Sequence, residues 1–187
     1  MRTLVYLCGP PGAGKSTLMA ALTAGIDRHP TAEPVPHDCL AGGLAAELGV
    51  RREGGFPGTD GLSMSIQPKA IAWIAGKPYP LILGEGQRLA NKGFLYAAMG
   101  AGYTVTLVHL DAAQAVLDGR CAARGSRQSP AWRRGAATRA RKLADAMELD
   151  AEVIRLDAVG FPDQLAAHLT KVVPGLADFA AAARTGD

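Results

Sequence analysis

The sequence predicts an α/β protein in which a doubly wound parallel sheet of about five strands lies between two layers of helices. Short apolar runs alternate with helical stretches along the chain, which is the pattern of parallel strands joined by crossover helices. A glycine-rich turn follows the first apolar run directly, as in sheets that bind ligands at the carboxyl ends of their strands. With 187 residues and no repeat, the chain is expected to form one domain over residues 1–187.

The predicted strands are the buried apolar runs at residues 3–8, 33–37, 81–83, 103–110 and 152–156. Pro34 and Pro36 restrict the second run to a short or edge strand, because proline cannot donate to a sheet ladder. The predicted helices cover residues 15–24, 40–48, 63–75, 88–99, 112–123, 133–147 and 162–172. Asp111 is the expected N-cap of the helix at 112–123.

Two glycine-rich or polar segments, residues 51–60 and 125–132, are predicted loops. The alanine-rich end at residues 176–187 is expected to fray. The apolar run at the N-terminus is too short for a signal peptide and leads straight into Gly9. We therefore expect a cytoplasmic protein, or one of the host cytoplasm if its source is viral.

The composition argues against a membrane span and against a disulfide scaffold. Apolar residues make up 48% of the chain, but no apolar run approaches the ~18 residues that a span requires. The cysteines Cys8, Cys39 and Cys121 are odd in number and form no Cys-x-x-Cys pair. Neither a zinc site nor a set of disulfides is indicated.

Residues 9–16 read Gly-Pro-Pro-Gly-Ala-Gly-Lys-Ser and match the P-loop pattern at every fixed position, between a predicted strand and a predicted helix. Glycines let such a loop curl until its N–H groups point at phosphate oxygens. Lys15 is expected to reach the β- and γ-phosphates and Ser16 to bind Mg²⁺, so the predicted cofactors are ATP and Mg²⁺. The predicted nucleotide-binding residues are Gly9, Gly12, Ala13, Gly14, Lys15, Ser16 and Thr17.

Two acidic residues follow predicted strands, where they would lie near the P-loop. Glu85 stands between two glycines at the end of the strand at 81–83, and either binds on the metal side or acts as a base, unless it caps a helix. Asp38 follows the second strand and is a candidate base for an attacking hydroxyl, with helix capping as its alternative. His37 is more typical of a packed or exposed histidine.

The glycine-rich loop contains further candidates for substrate binding. Thr59 or Asp60 is expected to cap the next helix, and loops of this composition also fold over ligands, which makes both residues candidates for substrate binding. Phe56 and Met64 are candidates for contact with a base, with a core position as the alternative for Met64. Arg88 either contacts a phosphate or forms a surface ion pair.

Eight basic residues and no acidic residue lie between Arg120 and Lys142, although the net charge of the chain is only +3. They are Arg120, Arg124, Arg127, Arg133, Arg134, Arg139, Arg141 and Lys142. Helical spacing favours convergence of Arg120, Arg124 and Arg127 on phosphates. The remaining cations indicate a polyanionic partner such as DNA, with Arg133, Arg134, Arg139 and Arg141 as phosphate contacts. Trp132 either stacks on a base or anchors this segment to the body.

The P-loop, the acid at the strand end and the arginine-rich segment together resemble the small-molecule kinases of the P-loop class, over about residues 2–172. The resemblance implies a three-layer fold that uses MgATP and a mobile lid, here at about residues 120–142. It implies phosphate and metal binding for Lys15 and Ser16, and closure of Arg120, Arg124 and Arg127 on the transferring phosphoryl group. Nucleic-acid kinases of this class place their base at the position of Asp38, and deoxynucleoside kinases at that of Glu85.

A narrower resemblance rests on Gly58-Thr59-Asp60-x-Leu62-Ser63-Met64 and Arg124-Gly-Ser-x-Gln128-x₃-Trp132-x₂-Gly135. These segments are similar to phage-type 5-hydroxymethyluracil DNA kinases, which phosphorylate a base hydroxymethyl group within DNA during base hypermodification. The chain lacks the Asp-Arg-Tyr/His signature of thymidylate kinases and has Gly86-Gln87-Arg88 instead. This departure disfavours a simple nucleotide kinase.

Other functions stay open at this point. A free nucleoside, a nucleoside monophosphate or a small metabolite is an alternative acceptor, and a nucleic-acid-binding regulatory ATPase is an alternative class. A GTPase is disfavoured, because the only Asn-Lys pair, Asn91-Lys92, is followed by Phe94 where a guanine clamp needs aspartate. The sequence does not determine the oligomeric state or the choice between ATP and GTP.

Overall fold

The structure is a computed structural model that describes residues 1–49 and 58–184. Its described part contains one seven-stranded sheet with the strand order β2-β3-β4-β5-β1-β6-β7. The strands are β1 (Arg2–Cys8), β2 (Arg28–Thr31), β3 (His37–Leu40), β4 (Ala45–Leu48), β5 (Leu81–Glu85), β6 (Tyr103–Asp111) and β7 (Glu152–Asp157). The helices are α1 (Lys15–Leu22), α2 (Gln67–Ala75), α3 (Lys92–Gly100), α4 (Gln114–Ala123), α5 (Pro130–Met147), α6 (Pro162–Val172) and α7 (Pro174–Arg184).

The predicted fold class is confirmed, with seven strands in place of about five. Strands β4, β5, β1, β6 and β7 are parallel to one another, and β2 and β3 complete one edge with antiparallel pairing. One apolar cluster lies beneath α2, α3 and α5, and a second lies beneath α1, α4, α6 and α7. The three-layer arrangement brings the carboxyl ends of β1, β5 and β6 to one edge, where the P-loop begins.

Two predictions near the antiparallel edge are wrong. Residues 33–36 link β2 to β3 rather than forming a strand, and the predicted helix at 40–48 is a short 3₁₀ turn followed by β4. All four residues of β4 are buried between β3 and β5. Sheet pairing therefore overrides the helix propensity of alanine, leucine and glutamate in this segment.

Several helix boundaries also differ from the prediction: α2 begins at Gln67 rather than at residue 63, and α3 begins at Lys92 rather than at residue 88. Asp111 does not cap α4, which begins after Ala113, because its carboxylate instead accepts from the N–H of Ala112 at 2.9 Å. Ser129 caps α5 by accepting from the N–H of Trp132 at 3.2 Å, so this helix begins before residue 133. The segment expected to fray forms α7 as far as residue 184, held by buried Leu176 and Phe179. In the described ranges, no helix has the length and apolarity needed to span a membrane.

Gly84 is the point at which β5 meets the ring of Tyr6 on β1. A Cβ atom at this glycine would lie 2.6 Å from Cε2 of Tyr6, and both residues are fully buried in the sheet. Because a buried core resists added volume, β5 can carry only glycine here without displacing the tyrosine.

We expect Gly84→Ala to lower the free energy of unfolding by about 1–3 kcal/mol, the usual effect of overpacking a core. Gly119→Ala in α4 is the matched control, since a Cβ there meets nothing within 4 Å and alanine favours a helix. Urea unfolding of both variants measures the difference. Equal stability of the two variants would show that the Tyr6 ring moves without cost.

Candidate active site

The P-loop follows β1 and wraps closely around the neighbouring chain. Gly9 and Gly12 have positive φ angles of 146° and 88°. A Cβ on Gly9 would clash with the carbonyl of Leu110, and one on Gly12 would lie 2.7 Å from the carbonyl oxygen of Leu117. Only glycine satisfies both the backbone conformation and the space. The loop is therefore built from positions that the sequence pattern specifies.

Lys15 opens α1 and turns its side chain back over the loop. Its Nζ donates to the carbonyl oxygens of Gly9 and Pro10, each at 3.0 Å. Burial lowers the pKa of Lys15, and the nearby carboxylates of Glu85 and Asp60 oppose that shift. The ammonium group is thus held at the loop, where a phosphate chain lies in P-loop proteins.

Glu85 ends β5 beside the first turn of α1. Its Oε1 accepts a hydrogen bond from the Ser16 hydroxyl at 2.9 Å, and the residue is only 3% exposed. Burial raises the pKa of Glu85 to about 7, against the opposing effects of Lys15 and of the Ser16 hydrogen bond. The expected meeting of Ser16 and Glu85 is therefore present in the geometry.

The Ser16–Glu85 pair fits a magnesium ion by its chemistry. A hydroxyl and a carboxylate supply the oxygen ligands that Mg²⁺ prefers, and this ion usually takes only one or two carboxylates together with substrate phosphates and water. Within residues 1–49 and 58–184, no cluster of three or more histidine, cysteine, aspartate or glutamate side chains is placed to hold a metal.

A 3₁₀ turn, Gly58–Gly61, is fastened to the carboxyl end of β5. The Thr59 hydroxyl donates to the backbone oxygen of Glu85 at 2.8 Å and lies 2.8 Å from the hydroxyl of Tyr6. Next to it, Oδ1 of Asp60 accepts from the N–H of Gln87 at 2.6 Å. These bonds place Asp60 beside the P-loop. Neither Thr59 nor Asp60 caps α2, whose N-cap is Ile66, and the alternative position facing a ligand is the one that the cleft lining favours for Asp60.

The P-loop opens into a cleft of about 750 Å³, called here the main cleft. It is lined by Pro11, Gly12, Gly14, Lys15, Ser16, Thr17, Asp60, Glu85, Gln87, Arg124, Gly125, Ser126, Arg127, Gln128 and Trp132. A cavity of about 420 Å³, called here the side cavity, adjoins it and is lined by Asp60, Met64, Gln87, Arg88, Gln128 and Trp132. The two spaces are neighbours, because Asp60, Gln87, Gln128 and Trp132 line both of them.

A third cavity, the apolar cavity, lies on the other side of the P-loop and measures about 350 Å³. Leu18, Leu110, Ala123, Pro162 and Leu165 supply much of its wall. Its apolar lining beside the phosphate loop has the character of a pocket for a planar base. A nucleotide that spans the apolar cavity and the main cleft would cross Gly12, Ala13 and Gly14.

The three lid arginines all lie beside the P-loop, but they contact it in different ways. Arg124 and Arg127 line the main cleft. Arg120 instead donates to the carbonyl oxygens of Gly12 at 3.3 Å and Ala158 at 2.8 Å. It therefore braces the P-loop against the segment after β7.

The other basic residues of the segment point in several directions. Arg133 pairs with Asp118 at 3.2 Å, and Arg139 donates to the side-chain oxygen of Gln87 at 3.3 Å. Arg141 lies in a separate cavity with Asp145. Part of this set of cations is therefore engaged within the protein, while Arg134, Arg139, Arg141 and Lys142 are exposed.

The remaining predicted substrate contacts lie on or near the side cavity. Trp132 is 42% exposed at the rim that the two spaces share. Arg88 donates to the sulfur of Met64 and to the backbone oxygen of Asp60. Phe56 lies outside the described residues. Met64 is exposed rather than packed in the core.

Asp38 does not reach the main cleft. It is buried in β3, where Arg28 donates to its Oδ2 at 2.8 Å. The same guanidinium donates to Thr23 at 2.9 Å, just beyond the C-terminal end of α1 and a full helix length from Lys15. The prediction that Asp38 lies near the γ-phosphate is wrong, because the antiparallel edge of the sheet carries β3 away from the P-loop.

His37 is packed rather than exposed, and the sequence had left both positions open. Its ring contacts Trp73 and Tyr79, and its nitrogens bond to the carbonyl of Val35 and the hydroxyl of Tyr79.

Sequence reasoning gave no site role to Tyr6, Gln87 or Gln128. Tyr6 lies in the apolar run of the first strand, and nothing in the sequence indicates that its hydroxyl group contacts Thr59. Gln87 and Gln128 did lie within segments already singled out, since the first follows Glu85 by two residues and the second belongs to the arginine-rich segment. The position of these two amide side chains next to predicted site residues could have indicated a role for them.

The fold and the site together define a P-loop nucleotide-binding protein of kinase type. The chain belongs to the P-loop Nucleotide Kinase3 family, whose model matches residues 1–174. It is therefore an ATP-dependent phosphotransferase. A comparison with curated proteins finds no significant match.

Two solved structures share the fold. Deoxyadenosine kinase from M. mycoides, with bound dCTP, has a TM-score of 0.53 and 10% identity, and the match covers 91% of this chain and 100% of that chain. A sugar kinase from Janibacter sp. HTCC2649, in an unliganded structure, has a TM-score of 0.50 and 18% identity, with 94% and 98% covered. At these identities the likeness concerns the fold alone.

We expect Arg28→Met to lower the free energy of unfolding by about 3–5 kcal/mol, because it removes the guanidinium that bonds to two buried carboxylates, Asp38 at 2.8 Å and Glu47 at 3.2 Å. Phosphate transfer per folded molecule should change little. Urea unfolding and a transfer assay measure the two quantities, and Arg134→Met, which removes an exposed cation from α5, is the control for stability. A tenfold loss of transfer without loss of stability would return Asp38 to the mechanism.

Proposed function

We propose that this kinase transfers the γ-phosphate of ATP to the hydroxymethyl group of 5-hydroxymethyluracil in DNA. The observation that carries the proposal is that the side cavity adjoins the main cleft, with Asp60, Gln87, Gln128 and Trp132 lining both spaces. A base held in the side cavity would present a hydroxyl group to the end of a triphosphate held by the P-loop. The resemblance of residues 58–64 and 124–135 to phage-type DNA kinases supports the choice of base.

The donor half of the reaction follows the P-loop. The base of ATP would occupy the apolar cavity, and its phosphates would lie along the loop toward Lys15, Arg124 and Arg127. Mg²⁺ bound at Ser16 and Glu85 would neutralise charge on the β- and γ-phosphate oxygens. Lys15, Arg124 and Arg127 supply fixed positive charge where negative charge spreads in the transition state.

The acceptor half depends on the side cavity. The exposed part of the Trp132 ring offers a surface on which a planar base can stack. The side-chain oxygen of Gln87 accepts from Arg139, so its amide NH₂ group is directed elsewhere and can donate to a base carbonyl. A cavity of about 420 Å³ holds one base and not a duplex, so the base must leave the stack.

A free nucleoside or nucleoside monophosphate is the second candidate acceptor. The observation that favours it is the dispersal of the basic residues, since Arg120, Arg133 and Arg139 are each bonded within the protein. A small acceptor needs only a few cations, and Arg88, Arg124 and Arg127 border the two spaces where it would lie.

Transfer from γ-labelled ATP to three acceptors distinguishes the candidates: 5-hydroxymethyluracil in a single-stranded oligonucleotide, its free nucleoside and its monophosphate. We expect the oligonucleotide to be the best acceptor, and its use to weaken as salt rises, because phosphate contacts release counterions. ATP affinity should change little over the same salt series. Preference for the monophosphate with little effect of salt would make the protein a nucleotide kinase.

Lys15→Ala should reduce the rate of transfer by a factor on the order of 10² or more, because it removes positive charge beside the β- and γ-phosphates. ATP binding should fall less, since the backbone of the loop still contacts the phosphates. The matched control is Lys171→Ala, which removes an exposed lysine from α6. Near-normal turnover of the Lys15 variant would contradict the role assigned to the P-loop.

A further inference from the structure

We infer that Asp60 is the general base of the transfer, an assignment that rests on the proposed kinase function. In this step the acceptor oxygen forms a bond to the γ-phosphorus, and the bond from that phosphorus to the β,γ-bridging oxygen breaks. ADP leaves with the bonding electron pair. The proton of the acceptor hydroxyl passes to Oδ2 of Asp60 and is later released to water.

Position is the first support for Asp60. Among the described residues, the main cleft has two acidic side chains in its lining, Asp60 and Glu85, and the side cavity has Asp60 alone. Of these two acids, Asp60 therefore is the one that borders both the space of the phosphates and the space of the acceptor. A base has to reach the attacking hydroxyl, and that hydroxyl must lie where these two spaces meet.

Orientation of the carboxylate is the second support. Oδ1 accepts from the N–H of Gln87 at 2.6 Å, which fixes the side chain against the end of β5. Within the described residues, no donor bonds to Oδ2. One oxygen thus anchors the carboxylate, and the other keeps its lone pairs for a proton from the acceptor.

The turn that carries Asp60 is held rigidly. Thr59 is bonded to Tyr6 and to the backbone oxygen of Glu85. A Cβ on Gly58 would lie 2.6 Å from Oε1 of Glu85, and a Cβ on Gly86 would lie 2.9 Å from Cγ of Asp60. Such close packing holds a reacting group in place before the substrate binds, which reduces the entropy lost in the transition state.

The other two carboxylates have different tasks. Glu85 is 3% exposed and accepts from the Ser16 hydroxyl, which places it on the metal side. Asp38 is engaged by Arg28 at the far edge of the sheet. The Asp60 carboxylate lies near enough to Lys15 to oppose the lowering of the lysine's pKa by burial. Asp60 is therefore close to the phosphate end of the cleft.

The test is Asp60→Asn, measured in single-turnover transfer with saturating ATP and acceptor. Asparagine keeps an oxygen that can accept from the N–H of Gln87 but cannot take the proton. We expect the rate of transfer to fall by ~10²–10⁴, with ATP affinity and the KM for the acceptor within about threefold of the wild type. Rates are normalised to the number of ATP-binding sites, so that misfolded molecules do not contribute.

Asp111→Asn is the matched control. Asp111 also lies at the carboxyl end of a strand and accepts from a backbone N–H, at 2.9 Å, but it lines a different cavity. It should transfer at the wild-type rate. Asp60→Glu keeps a carboxylate at a greater reach, and we expect it to be at least tenfold faster than Asp60→Asn.

Three results would overturn the assignment. Retention of a third or more of the wild-type rate by Asp60→Asn, with a large loss in Glu85→Gln, would make Glu85 the base. Equal losses in the Asn and Glu variants, together with a lowered melting temperature, would give Asp60 a structural role only. If the wild-type enzyme phosphorylates none of the hydroxyl acceptors, the proposed function itself is wrong. This outcome is distinguishable from the first two, in which the wild type still transfers phosphate.

Discussion

The hydrogen bonds between Tyr6, Thr59 and the backbone of Glu85 hold the active-site edge of this protein together. Tyr6 lies on the central strand β1 with no exposed surface, and its hydroxyl group is 2.8 Å from that of Thr59. Thr59 in turn donates to the backbone oxygen at the end of β5. A buried polar network of this kind is costly unless every member is bonded. Because these hydrogen bonds are all formed, the Gly58–Gly61 turn is held beside the P-loop although it lies far from it in the sequence.

That junction gathers opposite charges in a poorly solvated place. Burial lowers the pKa of Lys15 and raises that of Glu85 to about 7. Each group lessens the shift of the other, because an opposite charge nearby favours the ionised form. The family of P-loop Nucleotide Kinase3 proteins to which the chain belongs implies a nucleotide at this point, and its phosphates would enter a site that already contains charges of both signs.

The basic residues between Arg120 and Lys142 have different roles in the structure, although the sequence between them contains no acidic residue. Arg120 supports the loop backbone, Arg124 and Arg127 face the main cleft, and Arg133 pairs with Asp118 across two helices. Helical spacing alone predicted one face. The turn at residues 124–129 changes the direction of the chain between α4 and α5, and so separates side chains that a continuous helix would have placed together.

Local signals in the sequence determined the P-loop, the strand before it, the helix after it and the sheet class. The roles of Gly9 and Gly12 can be predicted from the sequence, because their backbone conformations depend on short-range sterics. Only the tertiary structure decided that residues 45–48 form a strand, that Asp38 faces Arg28, and that Asp60 stands beside Lys15. The Tyr6 hydroxyl is 53 residues from its partner. Contacts at such separations arise from the packing of whole layers, which no local pattern of residues encodes.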